Sequence, residues 1–260
     1  TIDFIKPLEK KHSLTLLTEQ PRAAAQAQAA LAPPAPQGVP RERGQVNLKA
    51  LDMKVEPGKP TGMTQVNAAA DTIGAWQFFG RENFGLSVAL QNIDPELSAS
   101  TEVRAVIEEK SLKIVHQLAL TVEKAGIYNV TLARQPGLMV TDVLGEGISD
   151  WTENGNNLEV EFAARVLGRR QVTVVLEEMG AVLPPAVAIA PVTVAGATRQ
   201  TARVTVTPDR GLKLAVDSDN TNGLRPAPAR ARGLAFTAAA SGWSLTVKPT
   251  QLPPRVVGQV

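Results

Sequence analysis

The sequence predicts an all-β protein made of antiparallel β-sandwich modules of immunoglobulin-like size, arranged in tandem and joined by Pro/Ala-rich linkers. Three observations support this fold class. Apolar and polar residues alternate over Ser111–Arg134, an Asn-Gly pair at 154–155 separates two further alternating runs, and no segment carries a convincing helical stripe. A period of two gives a strand one buried face. Without helices to cover such faces, a second sheet must cover them.

The longest alternating run starts at Ser111 and places Leu118, Leu120 and Val122 on one parity. The four residues Glu-Lys-Ala-Gly at 123–126 interrupt the alternation, and Tyr128 resumes it. We therefore predict a long amphipathic hairpin that turns at 123–126.

The Asn154-Gly155 pair predicts a second hairpin. Both central positions of a type I′ turn require positive φ, which asparagine and glycine tolerate. A two-residue loop at these positions places Trp151 opposite Leu158, a cross-strand pair that would help to fix the register.

Shorter apolar runs predict the remaining strands, and two Pro-rich stretches separate them. The strands are predicted at 2–5, 13–19, 45–50, 53–56, 75–79, 85–91, 102–109, 138–144, 171–178, 202–207, 212–216, 234–237 and 243–247. The Pro-rich stretches, residues 20–43 and the run VLPPAVAIAPVTV, are interpreted as extended linkers, because proline lacks the donor that a strand ladder needs.

A weak internal repeat runs through the chain at an offset of 158 residues, as from Phe4 to Phe162. The order of the matches is preserved, and one inserted residue moves the later offset to 159. The matched pairs include Thr15 with Thr173, Glu19 with Glu177, Phe78 with Phe236, Phe84 with Trp243 and Leu86 with Leu245. The alternative is that the match is accidental, because any two β-rich stretches can be aligned so that their hydrophobic residues coincide. If the repeat is real, residues 1–101 are equivalent to 159–260.

This arrangement resembles the tandem β-sandwich modules of very large bacterial cell-envelope and secreted proteins. The resemblance rests on pattern and not on a motif. It implies an extracytoplasmic protein with a scaffold or surface role and no enzymatic activity. Its partners would be neighbouring repeat units or other proteins.

Three segments are predicted. Residues 1–73 form a partial repeat unit with a hairpin, a Pro/Ala linker and short strands. Residues 74–180 form a complete sandwich module, and residues 181–260 form a second partial unit equivalent to part of 23–101. An alternative division pairs residues 1–19 with the strands of 45–101.

Composition excludes some classes of function. The 260 residues contain no cysteine, which rules out disulfides and thiolate metal sites, and 43% are hydrophobic. A net charge of +2 is too small to indicate nucleic-acid binding. No apolar run approaches the ~20 residues of a membrane helix. The chain begins at Thr1 without a signal-like segment, so we expect a mature product or an excerpt.

The loop Asp217–Gly223 is the one candidate metal site. Asp217, Asp219 and Thr221 occupy alternate positions that can place oxygen ligands around calcium. Two departures weaken the match, because glycine falls at the seventh place and no glutamate closes the loop. A polar turn is the favoured interpretation, and no cofactor is predicted.

The remaining candidates favour structural roles. His116 lies at an apolar-parity position without a second ligand nearby and is expected to be a structural histidine, either buried or facing a sheet edge. Trp76, Trp151, Trp243 and Tyr128 would form a carbohydrate platform if exposed, but each lies within a strand pattern. We expect a non-enzymatic spacer module; the alternative is a module that binds carbohydrate or a protein partner. A binding platform needs adjacent exposed rings, and a spacer needs none.

Overall fold

The chain folds as an all-β protein of several antiparallel sheets. The computed structural model describes residues 13–21, 23, 26–32, 34–80, 84–180, 182–229 and 233–253. Within these ranges it contains eighteen strands, one 3-10 turn and no α-helix. These residues form two compact units. Unit 1 comprises the described residues up to Ala50 together with Lys54–Gln91, and unit 2 comprises Leu51–Met53 and the described residues from Asn92 onward.

Unit 1 contains two three-stranded sheets, with the orders β1-β6-β3 and β2-β5-β4. The strands are β1 (Gln28–Leu31), β2 (Arg43–Leu48), β3 (Met53–Pro57), β4 (Thr64–Val66), β5 (Gly74–Phe79) and β6 (Leu86–Asn92). Alternate residues of β5 and β6 are buried, and the Phe78 ring meets that of Phe84 edge to face at 4.8 Å. Phe78 lies in β5 and Phe84 lies two residues before β6, so this ring pair links the two sheets.

Unit 2 is built on a nine-stranded sheet with the order β10-β11-β8-β7-β14-β17-β16, to which β9 adds beside β11 and β13 beside β8. A third sheet has the order β12-β18-β15. The strands are β7 (Glu96–Ile107), β8 (Ser111–Ala133), β9 (Met139–Leu144), β10 (Ile148–Asn154), β11 (Asn157–Met179), β12 (Val187–Ile189), β13 (Thr193–Val194), β14 (Ala197–Pro208), β15 (Leu212–Val216), β16 (Arg225–Pro226), β17 (Leu234–Ala238) and β18 (Leu245–Gln251). The pair of β7 and β14 is parallel, whereas the other described pairs of the large sheet are antiparallel.

The core of unit 2 lies between the large sheet and the sheet β12-β18-β15. Leu118, Leu120 and Val204 on the large sheet are fully buried, as are Leu245 and Val247 on β18. These residues belong to one apolar cluster. The predicted alternation therefore serves a sheet-on-sheet core.

The predicted turn at 123–126 is wrong, because β8 continues as one strand of 23 residues. Lys124 has φ 66°, and the register with β11 shifts between Glu161 and Gly168. The break in alternation is thus a bulge. Since β11 is equally long, β8 has a partner on both sides of the irregularity and does not need to fold back.

The hairpin at 154–155 exists, but its loop is displaced by one residue. Asn154 pairs with Asn157, so the loop residues are Gly155 and Asn156, and Trp151 faces Val160 instead of Leu158. Gly155 has φ +61°, whereas Asn156 is not among the residues with positive φ. This combination is a type II′ turn, which places glycine first. The predicted type I′ turn and its Trp151–Leu158 pair are therefore wrong.

The N-terminal region differs from its prediction in two places. Residues 28–31 of the predicted linker form strand β1, which pairs with β6. Residues 13–19 form no strand, and Leu14, Leu16 and Leu17 are exposed. Their predicted equivalents at 171–177 lie in β11, where Val172 and Val174 are fully buried, so the predicted structural equivalence of these two segments is wrong. The strand predicted at 2–5 lies outside the described residues. The second predicted linker is also wrong in part, because its residues 187–189 and 193–194 form β12 and β13.

The two sheets of unit 1 and six strands of unit 2 share one hydrogen-bonding order. The order β1-β6-β3 corresponds to β12-β18-β15, and β2-β5-β4 corresponds to β14-β17-β16. Ala29 pairs with Val88 as Val187 pairs with Val247, at offsets of 158 and 159 residues. Each group also closes with one isolated bridge, Thr61 to Gly85 and Asn222 to Ser244.

One residue match is corrected by the pairing. Phe236 lies opposite Val204, and in unit 1 the residue opposite Val46 is Trp76. Phe236 therefore takes the place of Trp76, not the predicted place of Phe78. The division into 1–73, 74–180 and 181–260 stays a prediction, because compactness does not show which segments fold independently.

Candidate functional site

The carboxylate of Asp217 is held by protein donors. Its Oδ2 lies 2.9 Å from the Lys248 ammonium and accepts a hydrogen bond from the Asn220 side-chain amide at 3.1 Å. Asp217 is buried, and these two donors hold the pKa of its carboxyl below its usual range. A cation entering here would have to displace Lys248, which already balances the charge.

Thr221 and Asp219 do not converge with Asp217 on an open point. The Thr221 hydroxyl donates to the Asp217 carbonyl oxygen at 2.7 Å and accepts the Thr246 N–H at 3.2 Å. Asp219 lies exposed on the 3-10 turn Ser218–Asn220. In the part of the chain that the structure describes, no three His, Cys, Asp or Glu side chains are grouped to hold a metal ion. This geometry favours the polar-turn interpretation of the loop.

His116 lies in the middle of the large sheet and is fully buried. Its cross-strand neighbours are Val103 on β7 and Val174 on β11, and neither ring nitrogen has a hydrogen-bond partner among the described residues. Burial lowers the pKa of His116 to about 3. The imidazole is thus neutral at physiological pH and shielded from any substrate. This agrees with the buried structural histidine predicted from its parity.

The aromatic residues do not form a platform of tryptophan rings. Trp76 and Trp243 are each 3% exposed, and Trp151 packs half-buried against the core. The strand pattern predicted this burial correctly. The same pattern is wrong for Tyr128, which is 63% exposed. Tyr128 and Phe79, at 76%, are the aromatic side chains among the exposed large hydrophobics of the described residues. Phe79 was missed because it ends β5 on the parity opposite to Phe78.

The face of the large sheet opposite the core carries a groove of about 1220 Å³. Alternate residues of β7, β8 and β14 line it, including Ser100, Gln117, Thr201, Thr205 and Thr207. The lining combines serine, threonine and alanine with two glutamines, two arginines and one glutamate, and it contains neither an aromatic ring nor a histidine. It offers hydrogen bonds to an extended polar ligand.

The groove was not identified from sequence, although its residues carry a readable signal. In the run ARVTVTP, threonine recurs at every second place of β14, opposite the buried valines. The charged pair in the groove is Arg104 with Glu102 on the same strand, at 3.0 Å. Both side chains are largely exposed, so this pair contributes little to stability.

A half-buried ion pair lies at the bulge of β8. The Arg165 guanidinium donates two hydrogen bonds to the Asp52 carboxylate, which also accepts the Gly126 N–H at 3.0 Å. The guanidinium holds the pKa of Asp52 below its usual range. A Cβ at Gly126 would lie 2.5 Å from the Arg165 side chain, so a larger residue there would force Arg165 to move. These contacts are structural and stabilise the register shift.

Comparison with known proteins gives partial structural similarity at low scores alone. No protein-family model matches the chain, and no curated protein sequence matches it significantly. Among solved structures, an M1 zinc metallopeptidase from Deinococcus radiodurans is similar at 10% identity and a TM-score of 0.41, covering 59% of this chain and 42% of that one. An L-arginine-bound mutant of a two-domain M1 zinc metallopeptidase is similar at 12% identity and a TM-score of 0.38, with the same coverage.

This chain therefore spans about two fifths of the length of the metallopeptidases it matches. At these scores the likeness carries no argument. Separately, within the described residues, no helix is long and apolar enough to cross a membrane.

Proposed function

We propose that this chain is a non-enzymatic structural spacer from a larger extracytoplasmic repeat protein, built from tandem immunoglobulin-like sandwich units. One observation carries the proposal. Six strands of unit 1 and six strands of unit 2 share one strand order. The register of β1 against β6 matches that of β12 against β18, and each group also contains one isolated bridge. Repeated units are expected to share the strand order of two three-stranded sheets. An accidental alignment of apolar residues in two β-rich sequences would not produce this shared order.

The side-chain chemistry supports a spacer over an enzyme. His116 is sealed in the core, and the Asp217 carboxylate is paired with Lys248. The two most buried tryptophans serve the cores of their sheets. A spacer needs stable strands and a polar surface, and the described chain supplies both. The extracytoplasmic location follows from the resemblance to cell-envelope arrays.

The spacer function is tested by adding whole repeat periods to the chain. Residues 1–158 span one period, so copies of them can be fused to the N-terminus of the 260-residue chain without changing the phase of the repeat. Small-angle scattering of chains with zero, one and two added copies should show a maximum dimension that rises by a constant increment. A dimension that stays constant while each chain remains folded would exclude the spacer function.

A ligand-binding function is the second candidate, favoured by the threonine-lined groove. Calorimetric titration of the full chain with soluble polysaccharide fragments distinguishes the two. We expect no saturable binding. Saturable binding that Thr205→Arg abolishes, while Thr64→Arg on the exposed β4 preserves it, would establish the groove as a ligand site and replace the spacer proposal.

A further inference from the structure

The edge of β2 differs from the edge of its counterpart β14. Antiparallel pairing with β5 occupies one side of β2, as pairing with β17 occupies one side of β14. The other side of β14 pairs in parallel with β7 from Ala197 to Pro208. Among the described residues, β2 has no strand on that side and ends its sheet. An exposed edge of this kind presents unpaired backbone donors and acceptors.

A second observation points to the same missing neighbour. At the offset of 158 residues, Leu14 and Leu16 correspond to Val172 and Val174 of β11. Both valines are fully buried, where β11 pairs with β8. Leu14 and Leu16 are 59% and 52% exposed, and residues 13–19 form no strand. In unit 2, β14 pairs with β7 and β11 pairs with β8. Both β7 and β8 belong to residues 92–158.

We infer that unit 1 is a docking site for a second segment of the type formed by residues 92–158. The β7-like strand of that segment adds in parallel to the free edge of β2. Its β8-like strand pairs with residues 13–19, which then form a strand and bury Leu14 and Leu16. This inference rests on the proposed tandem repeat and names the partner that the repeat brings to unit 1.

The register of the docked strand follows from unit 2. Arg203 of β14 lies beside Glu102 of β7, and Val204 lies beside Val103. At the offset of 158, Gln45 and Val46 of β2 take these places. Gln45 should therefore lie beside Glu102 of the docked segment.

A complete second chain is a poorer occupant than an added segment. In each chain β7 is already paired on both sides, with β14 in parallel and with β8 in antiparallel orientation. For its β7 to pair with β2 of another chain, a second chain would have to break its own β7–β14 pair. An added segment has no β14 of its own, so its β7-like strand keeps a free edge.

Disulfide formation in the chain with one added period tests this register. The natural sequence has no cysteine, so an introduced pair is the sole route to a disulfide. We expect Gln45→Cys and Glu102→Cys of the added copy to oxidise at least about tenfold faster than Gln45→Cys with Ser98→Cys. The control pair lies on the same face but is displaced by four residues, about 13 Å, which no disulfide spans.

Two further measurements do not depend on cysteine. Hydrogen exchange of residues 43–48 should slow at least about tenfold when the copy is added. Leu16→Asp should leave the unfolding midpoint of the 260-residue chain unchanged and lower that of the extended chain. If the chain with one added period does not fold, the same measurements apply to a chain in which residues 92–158 alone are fused to the N-terminus.

Equal oxidation of both cysteine pairs, together with unchanged exchange of β2, would overturn the docking inference. Protection of β2 that depends on the concentration of the 260-residue chain would also overturn it, because the occupant would then be a second copy. The scattering result is independent of these outcomes. A constant length increment without the Gln45–Glu102 disulfide refutes the docked strand and leaves the spacer function standing.

Discussion

Strands β2 and β14 occupy the same place in two groups of strands that share one order, yet they lie in different surroundings. Each pairs with the corresponding antiparallel neighbour, β5 or β17. Val204 of β14 is fully buried, whereas Val46 of β2 is half-buried. The alternation along each strand is similar, so it does not account for this difference. The additional strands β7, β8 and β11, which extend the sheet of β14 on the side where β2 has no described neighbour, account for it. Burial in these sheets therefore depends on the neighbours of a strand more than on its own pattern.

The largest expected effect compares a charge at these two places. Val204→Asp should lower the free energy of unfolding of unit 2 by more than about 4 kcal/mol, because a carboxylate at a fully buried position has no partner. Val46→Asp should cost about 1 to 2 kcal/mol, since its side chain reaches water. Urea unfolding followed by circular dichroism measures both. Equal costs would show that β2 is covered as fully as β14.

Acid should weaken unit 2 through His116. The folded-state pKa of about 3 lies below the ordinary 6.5, so the unfolded chain binds the proton more tightly. Stability is therefore present above pH 6.5 and is lost as the pH falls towards 3, by about 3 kcal/mol between pH 7 and 4. Unfolding of the natural chain and of His116→Leu should be compared at each pH, because carboxylates contribute to both. Parallel pH profiles would contradict the buried, unpartnered histidine.

A smaller effect is expected at the β10–β11 hairpin, which has no counterpart in the described part of unit 1. Gly155 has φ +61°, and a Cβ there would meet nothing within 4 Å. Gly155→Val should cost about 1 to 2 kcal/mol from backbone strain alone. Gly242 is equally open and has no positive φ, so Gly242→Val is the matched control and should be near neutral. An unchanged melting temperature for Gly155→Val would mean that the turn relaxes.

No effect is expected from calcium. The Lys248 ammonium lies 2.9 Å from Asp217 and occupies the side of the loop that a cation would need. Millimolar calcium or EDTA should therefore leave the melting temperature unchanged, since a ligand specific to the native state has to raise it. A rise with calcium that Asp219→Ala removes would establish the loop as a metal site. Lys248→Met tests the cause, because it frees the Asp217 carboxylate.

The sequence predicted the fold class, most strand positions and the burial of His116, Trp76 and Trp243, because these follow from local alternation. The register at Gly155 was missed by one residue. Both type I′ and type II′ turns accept glycine, and they place it at different positions of the loop. The bulge at 123–126 cannot be distinguished from a turn by the sequence, because a break in alternation has the same local appearance in both. Only the length of the partner strand β11 distinguishes them.

The groove and the Asp52–Arg165 pair were beyond sequence reasoning for another reason. Asp52 and Arg165 are far apart along the chain, and only the pairing of the strands brings them together. At residues 13–19, by contrast, the local sequence pattern predicts a structure that the chain does not form. Their pattern predicts a strand, but a strand needs a partner, and none is present among the described residues.

The parallel pair of β7 and β14 also sets a kinetic constraint. It joins residues about one hundred positions apart, as Val103 and Val204, whereas β7 and β8 are joined by a short turn. Closing so long a loop is slow, and contacts of this range place a protein among slowly folding topologies. During synthesis at roughly 5 to 20 residues per second, the edge of β7 waits on the order of 5 to 20 s for β14 to emerge. The nascent chain is therefore most prone to aggregation in this interval, when a chaperone that binds exposed strand edges would protect it most.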